Sequence, residues 1–179
     1  MKKFFAAAGL AALGTITTAG AGELYVGADI GLSTLKAGKD TSTPAGFGAN
    51  VGYTLNPNFA IEASARSLGT LTEADASLKV TALQASVLAI APVTNEFSLF
   101  SRLGVGRNKL DLVYQSGFNY QPPVSVNKTQ ALFGLGAGYQ FSKSVMLRAE
   151  YSNLGTSTIA SNTAAVKITQ FKIGLNSAF

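Results

Sequence analysis

The chain has 179 residues, of which 13% are charged and 19 are glycine, and it carries a formal charge of +5. It is too apolar and glycine-rich for an ordinary soluble domain, and too poor in charge and proline for a disordered chain. Cysteine and histidine are both absent, which removes disulfides, thiolate chemistry and the commonest general base and metal ligand.

Met1-Lys2-Lys3 is a short positive stretch, Phe4 to about Leu13 is apolar, and Ala19-Gly20-Ala21 fits a small-x-small cleavage pattern. This predicts a secretory signal peptide over residues 1–21 and a single exported domain over residues 22–179. Loss of Lys2 and Lys3 would take two charges from the +5 and leave +3. No basic run points to nucleic acid. Beyond residue 22 no apolar stretch reaches the roughly 18 residues that a spanning helix needs.

From there the chain alternates with a period of two, the pattern of strands with one apolar face. In residues 24–33, Leu24, Val26, Ala28, Ile30 and Leu32 oppose Tyr25, Gly27, Asp29, Gly31 and Ser33. The second run sets Phe47, Ala49, Val51, Tyr53 and Leu55 against Gly48, Asn50, Gly52 and Thr54. The third sets Phe59, Ile61, Ala63 and Ala65 against Ala60, Glu62, Ser64 and Arg66. A fourth, about residues 78–91, has a clear phase only from Leu83 onward, with Gln84 on its polar face. The fifth places Phe97, Leu99, Leu103 and Val105 opposite Phe100, Arg102, Gly104 and Gly106. In the sixth, Phe133, Leu135, Ala137, Tyr139 and Phe141 alternate with Gly134, Gly136, Gly138 and Gln140. The seventh opposes Val145, Leu147, Ala149 and Tyr151 to Met146, Arg148, Glu150 and Ser152. In the last, Phe171, Ile173, Leu175 and Phe179 face away from Lys172, Gly174, Asn176 and Ala178.

Eight strands of about ten residues match what a tilted strand needs to cross a hydrocarbon core. Their connections alternate. Short ones lie at residues 56–58, 93–96 and 142–144, and long ones at about 34–45, 69–77, 107–127 and 153–164. Short inner turns and longer outer loops belong to outer-membrane barrels. The fold class expected is all-β, an eight-stranded antiparallel up-and-down transmembrane β-barrel. Closure leaves no unpaired edge in lipid.

Charges and glycines share one face while aliphatics and aromatics share the other, so the first face is expected inside. A soluble ligand-binding barrel would reverse this and would aggregate with such an exterior. Phe47, Phe59, Phe97, Phe141 and Phe179 are expected in interfacial girdles. Tyr25, Phe100 and Arg102 are expected to fill space left by Gly27, Gly134 and Gly136. Glu62, Arg66, Gln84, Arg102, Arg148, Glu150 and Lys172 are expected to form a lumen charge network, because buried charges must be paired. Glu62 with Arg66, and Arg148 with Glu150, share a face at even spacing. A salt-bridge plug is the simpler reading and an exchangeable gate in a narrow pore is the alternative. Glu62 and Glu150 could in principle act as acid and base, but each has a nearby arginine and no nucleophile accompanies them. No catalytic residue, metal or cofactor is expected. The segment 107–127 is unusually aromatic, and is read either as an extended hairpin or as a contact surface.

The run Tyr25-Val26-Gly27-Ala28-Asp29-Ile30-Gly31, with Gly52-Tyr53, Phe133 to Tyr139, Arg148-Ala149-Glu150-Tyr151 and Ile173 to Phe179, resembles the small eight-stranded outer-membrane barrels related to the OmpA transmembrane domain and to OmpX. The resemblance covers the chain from residue 22 onward. It implies a monomer in the Gram-negative cell envelope, embedded among outer-membrane lipid and lipopolysaccharide, with outer loops available to host or surface ligands. Phe171, Ile173, Leu175 and Phe179 are similar to the signal read by the barrel-assembly machinery, from which Ser177 departs. Enzymes of that group rely on histidine, so an enzyme is not expected.

Overall fold

The computed structural model describes residues 22–37, 40–73, 76–114, 124–159 and 164–179. The signal peptide expected over residues 1–21 lies outside the described residues. Nine strands follow one another: β1 (Glu23–Ala37), β2 (Asp40–Ser42), β3 (Ala45–Asn56), β4 (Phe59–Glu73), β5 (Ala76–Pro92), β6 (Phe97–Tyr114), β7 (Val124–Gln140), β8 (Val145–Ile159) and β9 (Ala164–Ala178). Each long strand pairs antiparallel with its neighbour, and β9 returns to β1 from Tyr25↔Ala178 to Ala37↔Val166. Eight long strands therefore make a closed up-and-down barrel, although β7 and β8 pair only between Phe133↔Asn153 and Gln140↔Met146.

The extra strand, β2, continues the line of β3 past a break at Thr43-Pro44. It pairs only with Leu35, Lys36 and Ala37 of β1. Proline has no N–H to give to the ladder; its carbonyl instead accepts from the Ser33 amide at 2.9 Å. Across from it, Gly69 adopts φ +114°, and a Cβ there would run into the Pro44 ring. The residue beside the break is glycine for that reason.

The strands outrun their predicted lengths at the long-loop end. β6 and β7 pair up to Leu112↔Val124, β4 and β5 to Glu73↔Ala76, and β8 and β9 to Ile159↔Ala164. Much of residues 107–127 is thus a paired hairpin, and residues 115–123 lie outside the described residues. Beyond the lipid both faces of a strand can be polar, so the apolar alternation fades while the backbone pairing goes on. Two bulges also shift the phase, one around Leu68 and one at Leu154 and Gly155.

Outward positions form a wide aliphatic and aromatic belt, with Ile30, Phe47, Leu83, Leu103 and Phe141 each more than 60% exposed. A contiguous face of this kind needs lipid around it. Tyr53, Phe59, Phe97, Tyr139, Phe141 and Phe179 border it at the short-turn end. Among the described residues no helix is long and apolar enough to cross a membrane; the crossing is made by strands.

Inside, the lumen is filled in three layers. Leu35, Leu68, Val80, Ala82, Leu110, Leu132, Leu154 and Ile168 form an apolar layer toward the long-loop end. Ala60, Leu88 and Phe100, with Tyr25 and Ile90 against them, form a second one toward the short turns. The charged residues lie between. The ambiguous phase before Leu83 now has a cause: Val80 and Ala82 are apolar but point inward, into the upper layer.

Candidate functional site

The middle layer is the site. Glu62 of β4 is ion-paired with two arginines at once: Arg102 Nη2 of β6 lies 2.6 Å from Oε1, and Arg148 of β8 donates to Oε2 at 2.7 Å. The Tyr25 hydroxyl donates to the same Oε2 at 3.0 Å. Glu150 of β8 receives Arg102 at 3.0 Å, Lys172 of β9 at 3.2 Å and the Ser152 hydroxyl at 2.9 Å. Arg148 also stands 3.7 Å from Glu150 and lies over the Phe100 ring, 4.6 Å from its centroid. Arg102 is the hinge of the whole, linking both carboxylates and donating to Ser86 Oγ at 2.8 Å while 1% exposed.

Lys172 faces Glu150 directly across β8 and β9, but the Arg102 contacts and the Arg148–Glu62 contact join strands that are not neighbours, and small residues make that possible. Arg102 pairs in register with Gly134 of β7, and the space over that glycine admits the Glu150 carboxylate, whose Oε1 lies 3.0 Å from where a Cβ would stand. Toward Glu62, Arg102 crosses β5 at Ser86, which sits opposite Glu62 in the ladder. The Arg148–Glu62 contact spans from β8 to β4, one wall to the other.

Arg66 does not join Glu62. It makes a two-pronged contact with Asp29 of β1, in which Nη1 to Oδ2 measures 2.8 Å and Nη2 meets Oδ1. Arg66 is opposite Gly48 of β3 and Gly48 is opposite Asp29 of β1, so the bare backbone of Gly48 lets the long side chain lie across it. Glu62 and Arg66, which share one face of β4, thus belong to different pairs. Residues four apart on a strand stand roughly 13 Å apart along it, whereas facing residues across a glycine converge. Arg148 with Glu150 survives only as the longest of the contacts. Asp29 was on the predicted inward face but outside the expected network. The signal that could have found it is an acid alone among glycines on a face otherwise rich in arginine. Gln84 stands apart from the ion pairs and accepts from Ser64 Oγ at 3.2 Å.

Among the described residues the layer holds three carboxylates (Asp29, Glu62, Glu150) and four cations (Arg66, Arg102, Arg148, Lys172), a balance of +1. Removing charges from water costs several kcal/mol each, and only this degree of pairing offsets it. The space left among them is about 10 Å³, room for about one water. Below it, a mouth of about 110 Å³ opens toward the short turns, lined by Tyr25, Leu88, Phe100, Met146 and Arg148 among others.

Of the residues expected to use glycine space, Phe100 takes that of Gly136, where a Cβ would collide with its ring. The Tyr25 ring lies on Gly52 instead of Gly27, whose space is taken by Asn50 and Asn176. On β9, Phe171, Ile173 and Leu175 face outward, and Phe179, just past its end, is exposed as well.

The model of the outer membrane protein beta-barrel domain matches residues 4–179. Among solved structures, the chain is similar to Ail, the attachment invasion locus protein of Yersinia pestis, solved in complex with the heparin analogue sucrose octasulfate. The two are 20% identical, with a TM-score of 0.64 over 89% of this chain and 99% of that one. Neisserial surface protein A is 15% identical with a TM-score of 0.71, over 87% and 97% of the two chains. The outer membrane protein OprG of Pseudomonas aeruginosa is 13% identical with a TM-score of 0.59, over 89% and 97%. At these identities the likeness is one of fold. No curated protein matches the chain by sequence.

Proposed function

Because the chain belongs to the family of outer membrane protein beta-barrel domains, and is thus an integral protein of the Gram-negative outer membrane, we propose that it acts as a closed, non-catalytic, monomeric barrel. In this reading it stabilises the envelope and holds hairpins at the cell surface for adhesion or recognition. The observation that carries the reading is the filled lumen, with about 10 Å³ left at the charged level and an apolar layer above it. Eight-stranded barrels have interiors just wide enough for side chains to fill. A hydrated ion would have to displace Arg102 from two carboxylates and then cross eight apolar side chains.

The surface role draws support from the extension of β5, β6 and β7 beyond their lipid-facing residues Leu83, Val105 and Ala131. It also draws support from a fold shared with a protein named for attachment and invasion and solved with a heparin analogue. The outward face of β9 (Phe171, Ile173, Leu175), with Phe179 just past it, is the part of the chain we assign to the barrel-assembly machinery.

The rival, a small gated pore, rests on the same ion pairs, since Arg102 could exchange between Glu62 and Glu150. Planar-bilayer recording of the refolded chain separates the two. A silent bilayer is expected. Steady conductance that changes in Glu62→Gln would overturn the plug and establish the pore.

A further inference from the structure

Among the described residues, every charged side chain at an outward strand position lies at the long-loop end, and all but one are basic. Lys36, Lys79, Arg107, Lys109 and Lys167 are exposed there, with Asp111 as the one acid. The rest of the outer wall, down to the short turns, carries none. Single-signed charge at one rim of a lipid belt calls for an anionic lipid surface on that side.

Three of these cations are gathered over a built feature. A groove of about 590 Å³ runs down the outer wall across β3, β4 and β5 to β6. Its floor is Ala49, Ala65, Ser67 and Thr81, and its walls are Phe47 and Leu83. Lys79, Arg107 and Lys109 stand at its upper side. Lys109 is paired across strands with Thr81 and Arg107 with Leu83, which puts both directly beside the floor. Asp111 contacts Lys109 at 3.0 Å, and hydrogen bonds from Lys109 and Ser125 hold its carboxyl below the usual carboxylate range. It therefore stays ionised and takes one of the three positive charges, leaving the cluster at +2. By contrast Lys36 and Lys167 face each other across β1 and β9, and the trough of about 570 Å³ on that wall begins four residues lower, at Leu32 and Phe171, and is lined by neither lysine.

We infer that this groove is a binding site for a phosphate-bearing acylated lipid of the outer leaflet, with an acyl chain in the trough and a phosphate on Lys79, Arg107 and Lys109. An apolar channel at the depth of the lipid belt, topped by cations at the depth of the headgroups, matches an anionic amphiphile in both parts. The inference gives the envelope-stabilising reading its contact site, and rests on that reading only for its meaning in the cell.

The test is native mass spectrometry of the refolded full chain, with purified diphosphoryl lipid A as the probe. Wild type should retain one lipid A. Lys79→Gln/Arg107→Gln/Lys109→Gln should weaken retention at least about tenfold, since each basic residue near a charged lipid surface contributes on the order of a factor of five. Ala65→Phe, which fills the trough with every cation in place, should weaken it as well. Lys36→Gln/Lys167→Gln should stay within about threefold of wild type. All the substituted residues are exposed, and the heat-modifiable gel shift monitors folding in each variant. Equal loss in both cation variants would show diffuse charge attraction and overturn the site. Unchanged binding in Ala65→Phe, or displacement of lipid A by millimolar inorganic phosphate, would reduce it to a headgroup contact and overturn it too. A conducting barrel that still retains lipid A would sink the plug reading and leave this one standing.

Discussion

Glu62 is the residue on which the lumen turns. It is 4% exposed and contacts Arg102, Arg148 and Tyr25 together. Glu62→Gln keeps the shape but leaves two buried guanidinium groups short of a counter-charge. Breaking a buried pair in this way costs about 3–5 kcal/mol. The urea midpoint of the barrel refolded in vesicles should fall accordingly, and Arg102→Met in the same chain should recover part of the loss. Gly136 makes the complementary point. Its alanine variant drives a methyl into the Phe100 ring, an overpacking that costs about 1–3 kcal/mol. The methyl also meets the Ala149 backbone carbonyl, so Phe100→Leu should recover only part of the loss, as read by the same denaturation. If Gly136→Ala unfolds at the wild-type midpoint, the ring does not depend on that gap.

At the scale of the strand, the pairing that continues above the lipid is the feature with consequences. β5, β6 and β7 rise past the aliphatic belt as a connected wall, so a tag inserted between β6 and β7 should be reached by antibody on intact cells. One inserted at the turn between β7 and β8, near Lys143, should be reached only after the outer membrane is opened. The opposite labelling would invert the barrel. This extension was hard to read in the sequence because residues 107–112 pair through both polar and apolar positions. Arg107 and Lys109 face out while Asn108 and Leu110 face in. Within the lipid belt the same strand was plain, since Leu99, Leu103 and Val105 must all meet hydrocarbon.

For the molecule as a whole, the outside answers to lipid and the inside to packing. A charge placed at mid-belt, as in Leu103→Arg, should destabilise the folded barrel by about 2–4 kcal/mol. Lys36→Leu at the upper rim should change it little. Thermal loss of the heat-modifiable gel shift would measure both, and equal midpoints would mean that Leu103 does not face lipid. The upper apolar layer gives the complementary handle. Leu132→Ala removes a side chain that is 4% exposed inside the barrel and should cost about 2–5 kcal/mol without affecting insertion.

The sequence by itself determined the number of long strands, their antiparallel order, which face meets lipid and which end carries the longer excursions. Each follows from a local rule: a period of two, and apolar side chains wherever the backbone crosses hydrocarbon. It also placed Glu62, Arg66, Arg102, Arg148, Glu150 and Lys172 on the inner face. Only the tertiary structure decided who pairs with whom. Partners in a closed barrel are chosen by register across several strands and by the glycines between them. That is why Arg66 reaches Asp29 over Gly48 and Arg102 ties Glu62 to Glu150. Closure likewise brought the small residues of β3, β4 and β5 beneath Lys79, Arg107 and Lys109, a grouping that no spacing along the chain contains.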